Sequence, residues 1–373
     1  RTVAMQYLTK LNSSTEAAYY SVGGEFASRV ERYIVSTAET RDICNQPELV
    51  GCEYTNKLRD AVTKALVHAP FRSVLEEHPQ HRVCVLNFLR GGLNFDIRNA
   101  LHNSLGLNRQ TSAFMSSQRS RTEDGRWQVR EDMYRKLHIP SGAVILAGDV
   151  VATGITVANG FDVLLDHLQN IGSSIRWLVF FTIGCHKLEK HLEEYDARCR
   201  EAFDDYHGCF AIYFEGKFKL VDSRTQLKIG VPGTDLIRRG DVVLSPEFEA
   251  SQWDRITHPL ERCTIYDAGS RAFDVPSYLE DVLEYWQAVQ ALAEGGFTLT
   301  EAMAERWPID AFASFDTFRQ QRQTRWRNVD QQFLASMYEH YEKRWVGSEL
   351  EDSAEALKRV CAERIETIRE LMG

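Results

Sequence analysis

No run of apolar residues in this 373-residue chain approaches the ~18 needed to cross a bilayer, and the longest, WLVFFTIG at 177–184, is strand-sized. The opening residues RTVAMQYLTK lack the apolar core of a secretion signal. There is no Cys-x-x-Cys pair: the eight cysteines stand apart, at 44, 52, 84, 185, 199, 209, 263 and 361. That scatter argues against a zinc knuckle or dithiol redox site and leads us to expect reduced, mostly structural thiols in a cytoplasmic protein. Positive charge is in deficit, with 44 Lys and Arg against 53 Asp and Glu, a net charge of −9. A general nucleic-acid binder would carry a basic face instead, so neither nucleic acid nor membrane is expected as a partner. Gly-x-x-x-x-Gly-Lys-Ser/Thr does not occur, which disfavours a P-loop nucleotidase. Internal repeats and low-complexity tracts are also missing.

What remains is an ordinary globular composition, 43% hydrophobic and 26% charged, long enough for a sizeable core. Residues 1–80 read as a mostly helical, polar segment, with EFASRVERYIV and YTNKLRDAVTKALVHA as its amphipathic pieces. From 81 to 265, apolar strand-like runs alternate with helical patterns, the signature of a doubly wound parallel α/β sheet. From 266 to 373 long helical patterns dominate, as in PSYLEDVLEYWQAVQALAEGG and SAEALKRVCAERIETIRELM, with no evident purpose.

Two expected strand ends carry unusual chemistry. HRVCVLNFLRGG (81–92) ends in Leu89-Arg90-Gly91-Gly92, a guanidinium beside glycines. Arginine suits bidentate phosphate recognition, and glycine lets backbone approach a ligand closely. AVILAGDVVATGIT (143–156) is a buried strand followed by a small-residue turn and a helix start. Such a turn exposes backbone N–H groups that favour an anion. Asp149, just upstream, would repel a phosphate unless it served sugar hydroxyls or hydrated Mg²⁺ on the same molecule. A ligand with phosphate at one end, hydroxyls in the middle and further anionic charge fits both ends. Phosphoribosyl pyrophosphate (PRPP) is such a molecule.

With these residues the sequence resembles the type I phosphoribosyltransferases over about residues 81–215. GDVVATGIT looks like their PRPP-binding signature, VLNFLRGGLNFDIRNAL is similar to their pyrophosphate loop, and the 116–135 segment stands where their mobile catalytic loop does. The resemblance implies a Mg²⁺-dependent transferase that moves the 5-phosphoribosyl group from PRPP to a nitrogenous base or related heterocycle, releasing pyrophosphate. It implies that Ala152, Thr153, Gly154, Ile155 and Thr156 hold the 5′-phosphate. Asp149 would hold the ribose hydroxyls, and the metal in part. Leu89, Arg90, Gly91 and Gly92 would hold pyrophosphate, and Arg119, Arg121, Arg126 or Arg130 would close over it. Family members are often dimers, so a homodimer is expected.

The family pattern has two adjacent acidic residues, whereas this chain has Gly148 before Asp149. That departure opens a second reading, a catalytically degenerate PRPP- or nucleotide-binding regulatory protein of the same fold. The blander alternatives are that Thr-Gly-Ile-Thr is an ordinary helix cap and Arg90 a surface ion-pair residue. The acceptor is expected to be recognised by a variable hood, either residues 1–80 or the turn-rich KIGVPGTDLIRRGDVVLSPEF (228–248) with Asp235, Arg238 and Arg239. His186 and His191 are five residues apart, poor spacing for one helix face, so they do not read as a metal pair.

Overall fold

A computed structural model describes the chain apart from residues 1–4, 25–27, 117, 122, 125–126, 132–133, 223–224, 226, 230–234, 239–241, 263–267, 308–311 and 347–350. For residues 118–121, 127–131 and 345–346 only the backbone is described. The strands in chain order are β1 (Tyr7–Lys10), β2 (Ala18–Gly23), β3 (Glu31–Ser36), β4 (Val83–Leu89), β5 (Thr111–Ser116), β6 (Gln118–Arg121) and β7 (Trp127–Glu131). There follow β8 (Arg135–Lys136), β9 (Ala143–Val151), β10 (Ile175–Cys185), β11 (Gly208–Leu220), β12 (Leu236–Ile237), β13 (Val243–Leu244) and β14 (Trp326–Arg327).

One mixed, mostly parallel sheet runs in the order β14-β1-β2-β3-β11-β10-β9-β4-β5-β8. Its centre, from β3 to β5, is parallel throughout. β1, β2 and β8 add antiparallel edges. Residues 143–147 of β9 are fully buried, because neighbouring strands take both sides and other elements cover both faces. Such a strand needs a continuous apolar run rather than an alternating one, and Ala-Val-Ile-Leu-Ala supplies it. The helix Ile155–Asn170 follows at once, burying Val157, Phe161, Leu164, Leu165 and Leu168 along one stripe.

The N-terminal segment departs from expectation. Among the described residues of 7–36 none is helical: Tyr7–Lys10, Ala18–Gly23 and Glu31–Ser36 are β1, β2 and β3, and the described part of the expected amphipathic helix EFASRVERYIV runs into β3. Tyr33, Ile34, Val35 and Ser36 are buried in succession. Four consecutive buried residues do not fit the one-sided apolar stripe of an amphipathic helix, whereas a strand paired on both sides, to β11 and β2, can bury both its faces, and β-branched Ile and Val favour it. Helices do occupy Ala38–Asn45 and Gly51–Val67. CFAIYFEGKFKLV is a single long strand, irregular near Glu215, whose φ is +68°.

The C-terminal third is largely helical and divides between two apolar clusters. Helices Val275–Glu294, Leu299–Arg306 and Ala354–Met372 enclose their own core around Trp286, Met303 and Leu357. Phe318, Trp326, Leu334 and Tyr341 instead pack with the main core, and β14 pairs with β1 at the sheet edge. No described helix is long and apolar enough to cross a membrane.

Candidate functional site

The sheet opens between β4 and β9. β4 and β9 pair from Val83↔Val144 to Leu86↔Ala147, yet each runs on, to Leu89 and to Val151. From β4 the chain returns to the sheet as β5 on one side, and from β9 as β10 on the other. Oppositely directed connections leave a crevice at the carboxyl ends of two neighbouring strands, where α/β sheets bind ligands. Both motifs singled out in the sequence end there.

On the β4 side, the Leu89–Arg90 peptide bond is cis and a 3₁₀ turn spans Gly91–Phe95. Arg90 is exposed and makes no ion pair with any described residue, so it is not a surface salt-bridge residue. The glycines allow close approach. A Cβ on Gly92 would lie 2.8 Å from the Gly148 carbonyl oxygen, and one on Gly91 would lie 3.0 Å from Asp149 Oδ1. The turn is held in place by the buried Asn94, whose Oδ1 accepts from Thr55 Oγ1 (3.2 Å) and whose Nδ2 donates to the Ala268 carbonyl (2.8 Å).

On the β9 side, Asp149 is half-buried and its Oδ1 accepts from the Val150 N–H at 2.8 Å. Gly148 backs onto the wholly buried Phe95, whose ring lies 2.7 Å from where a Cβ would stand. The position that would carry a second carboxylate is therefore filled by an aromatic ring. Beyond Val151, Gly154 is the N-cap of the 155–170 helix, at φ +80°, and no side chain caps it. The ordinary-cap alternative is thus not what is built, since Thr153 Oγ1 reaches the Ile155 N–H only at 3.5 Å. Ile155 makes only that long bond, and the Thr156 and Val157 N–H groups of the first turn are left for a ligand or solvent. Cys185, at the end of β10, donates its thiol to the Ala152 carbonyl at 2.7 Å, and burial pushes that thiol up to about 11. It is a structural strut, not a nucleophile.

Arg119 and Arg121 stand in β6 and Arg130 in β7, a separate antiparallel hairpin; their side chains, and Arg126 altogether, lie outside the described residues. Two of the polar side chains singled out in the 228–248 segment, Asp235 and Arg238, point inward rather than into a cleft. Asp235 is buried against Arg306, with N–O distances of 2.6 and 3.1 Å. Arg238 is buried against Gln252, the His258 carbonyl and the Cys44 carbonyl. Both side chains brace the interior; Arg239 lies outside the described residues.

Several neighbours of the crevice carry no sequence signal. Phe95 is one. Another is the start of the short helix Ala268–Phe273, where Ala268 Cβ and the Gly269 nitrogen lie 3.8 and 3.9 Å from a Cβ on Gly91. The region beyond 266 therefore forms part of the wall. His191, in the helix Lys187–Ala202, lies against Gly154: a Cβ there would be 2.6 Å from its Cδ2 and 3.0 Å from its Nε2. His186 faces away, its Nδ1 3.4 Å from the Phe218 carbonyl oxygen, with burial holding its pKa below the usual imidazole value. No three His, Cys, Asp or Glu side chains gather as a metal site among the described residues.

No family model and no curated protein matches the chain. Parts of it are similar to solved phosphoribosyltransferase structures. A hypoxanthine-guanine phosphoribosyltransferase from Bacillus anthracis aligns at 17% identity over 35% of this chain and 70% of its own, with a TM-score of 0.24. A hypoxanthine phosphoribosyltransferase from Staphylococcus aureus aligns at 12% identity over 41% and 73%, TM-score 0.24. A purine phosphoribosyltransferase from Pyrococcus horikoshii aligns at 14% identity over 41% and 87%, TM-score 0.21.

Proposed function

We propose that this chain is a phosphoribosyltransferase with a doubly wound core, using PRPP and Mg²⁺ to place a 5-phosphoribosyl group on a nitrogenous base or related heterocycle. The observation that carries the reading is the convergence, at one splayed pair of strands, of an unpaired Arg90, a carboxylate at Asp149 and an uncapped helix start at Gly154. In this reading the 152–156 backbone and the Thr153 and Thr156 hydroxyls hold the 5′-phosphate. Asp149 accepts from the ribose hydroxyls and thereby fixes C1 for attack. Arg90, with the backbone of Leu89, Gly91 and Gly92, holds the departing pyrophosphate, and the arginines of the β6–β7 hairpin exclude water from it. A transition state with oxocarbenium character gains mostly from such positioning and charge stabilisation. Asp149 supplies a hard oxygen donor, which fits a cation that keeps most of its shell from water and ligand oxygens; bound so, Mg²⁺ would neutralise charge on the leaving group. A homodimer and a cytoplasmic setting belong to the same proposal.

Calorimetric titration with PRPP and Mg²⁺, followed by pyrophosphate release across a panel of bases, tests it. Micromolar, Mg²⁺-dependent binding with release would support the transferase. Binding without turnover on any base would favour the second reading, a regulatory protein that senses PRPP or a nucleotide, which the Phe95 ring behind Gly148 motivates. No binding by folded protein would end both.

A further inference from the structure

We propose that His191 is a further phosphate-binding residue of this crevice, donating from its ring to an oxygen of the phosphomonoester held at the 152–156 turn; the inference rests on the phosphate reading of that turn. Its helix starts directly after β10, the parallel neighbour of β9, so its opening turns lie beside the loop that leaves β9. The imidazole edge carrying Nε2 faces Gly154, the residue that caps the 155–170 helix. A side chain at 154 would occupy the space that the ring fills, so the glycine serves both its own φ of +80° and the approach of the imidazole.

The ring is placed by the fold. Its neighbours on the helix are anchored: Leu188 and Leu192 are fully buried, and Glu189 takes Arg32 at 2.5 Å and Lys217 at 2.6 Å. His191 itself makes no hydrogen bond or ion pair with a described residue, whereas His186 faces the Phe218 carbonyl. A half-buried imidazole held beside the Thr156 and Val157 N–H groups of that first turn adds a further side to an oxyanion cradle. A hydrogen bond from such a ring to a phosphate is charge-assisted, and its loss should be readable in affinity.

The experiment titrates the full chain, and its His191→Leu and His191→Gln variants, with ribose 5-phosphate, with PRPP plus Mg²⁺, and with pyrophosphate plus Mg²⁺. His191→Leu should weaken ribose 5-phosphate and PRPP by about tenfold or more, the scale of one charge-assisted bond. Pyrophosphate affinity and the thermal midpoint should stay at wild-type values. His191→Gln, which keeps a donor, should recover most of the affinity, and His186→Gln should change neither sugar phosphate. Unchanged ribose 5-phosphate binding in His191→Leu would overturn the inference and leave the ring as packing. So would an equal loss of pyrophosphate binding, which would signal general damage. If wild-type protein binds none of the three probes, the phosphate reading of the crevice falls first and this inference with it.

Discussion

Gly148 stands where any side chain would run into the ring of Phe95, and this contact changes how a missing carboxylate is understood. Loss by drift would leave a space that an acidic residue could refill, whereas here the space is taken by a wholly buried aromatic ring. Gly148→Asp should therefore destabilise the protein by about 3 kcal/mol or more, through overpacking and burial of a charge, measured by urea unfolding. Wild-type stability in that variant would mean that the ring moves aside easily. Removing the ring as well, in Phe95→Ala/Gly148→Asp, should relieve the clash but leave a cavity. Asp149 makes the opposite kind of prediction. Asp149→Asn keeps shape and should leave the thermal midpoint within a few degrees. Pyrophosphate release should nevertheless fall by about 10²-fold or more, as expected when a group acting at the reacting centre is lost.

Elements are joined by buried polar groups that periodicity could not announce. The Asp235–Arg306 pair fastens the start of β12 to the helix Leu299–Arg306, and the arginine also donates to the Glu261 carbonyl at 3.0 Å. Breaking one partner strands a buried charge. Arg306→Met should cost about 3–5 kcal/mol by chemical denaturation. Asp235→Asn/Arg306→Met should cost less than the two single changes summed, because the pair is one interaction. A polar loop with Pro, Gly, Asp and Arg suggests a specificity loop from sequence. Its Asp235 and Arg238 become internal bracing once residues distant in the chain supply their partners. The strand at Glu31–Ser36 teaches a similar lesson: its residues fit a helical stripe locally, and the open edge of β11 decides otherwise.

At the scale of the whole molecule, buried histidine links stability to pH. His258 is buried beside Arg238, and its Nδ1 lies 2.8 Å from the Ser251 carbonyl oxygen while its Nε2 has no partner. Burial, together with the Arg238 charge, holds its pKa below the usual imidazole value. The unfolded chain therefore takes up this proton first as pH falls. The contribution to stability is present above about pH 6.5 and is lost on acidification toward the lower folded value. Unfolding free energy should decline over that range with a slope of at most about 1.4 kcal/mol per pH unit from this group, and His258→Gln should flatten the curve. An identical slope in the variant would assign the effect elsewhere, His186 being the next group to substitute. The sequence by itself determined the two strand ends and their order, because a buried parallel strand demands an unbroken apolar run and each run stops at a glycine-bearing stretch before a helical pattern begins. It also determined which side chains, Arg90 and Asp149, those strands deliver to their carboxyl ends. Only the tertiary structure decided that Phe95 fills the place behind Gly148, that His191 faces Gly154, and that the Ala268 helix walls the crevice. Those contacts join residues far apart in the chain or across an irregular turn, where no local period records which side chain will meet which.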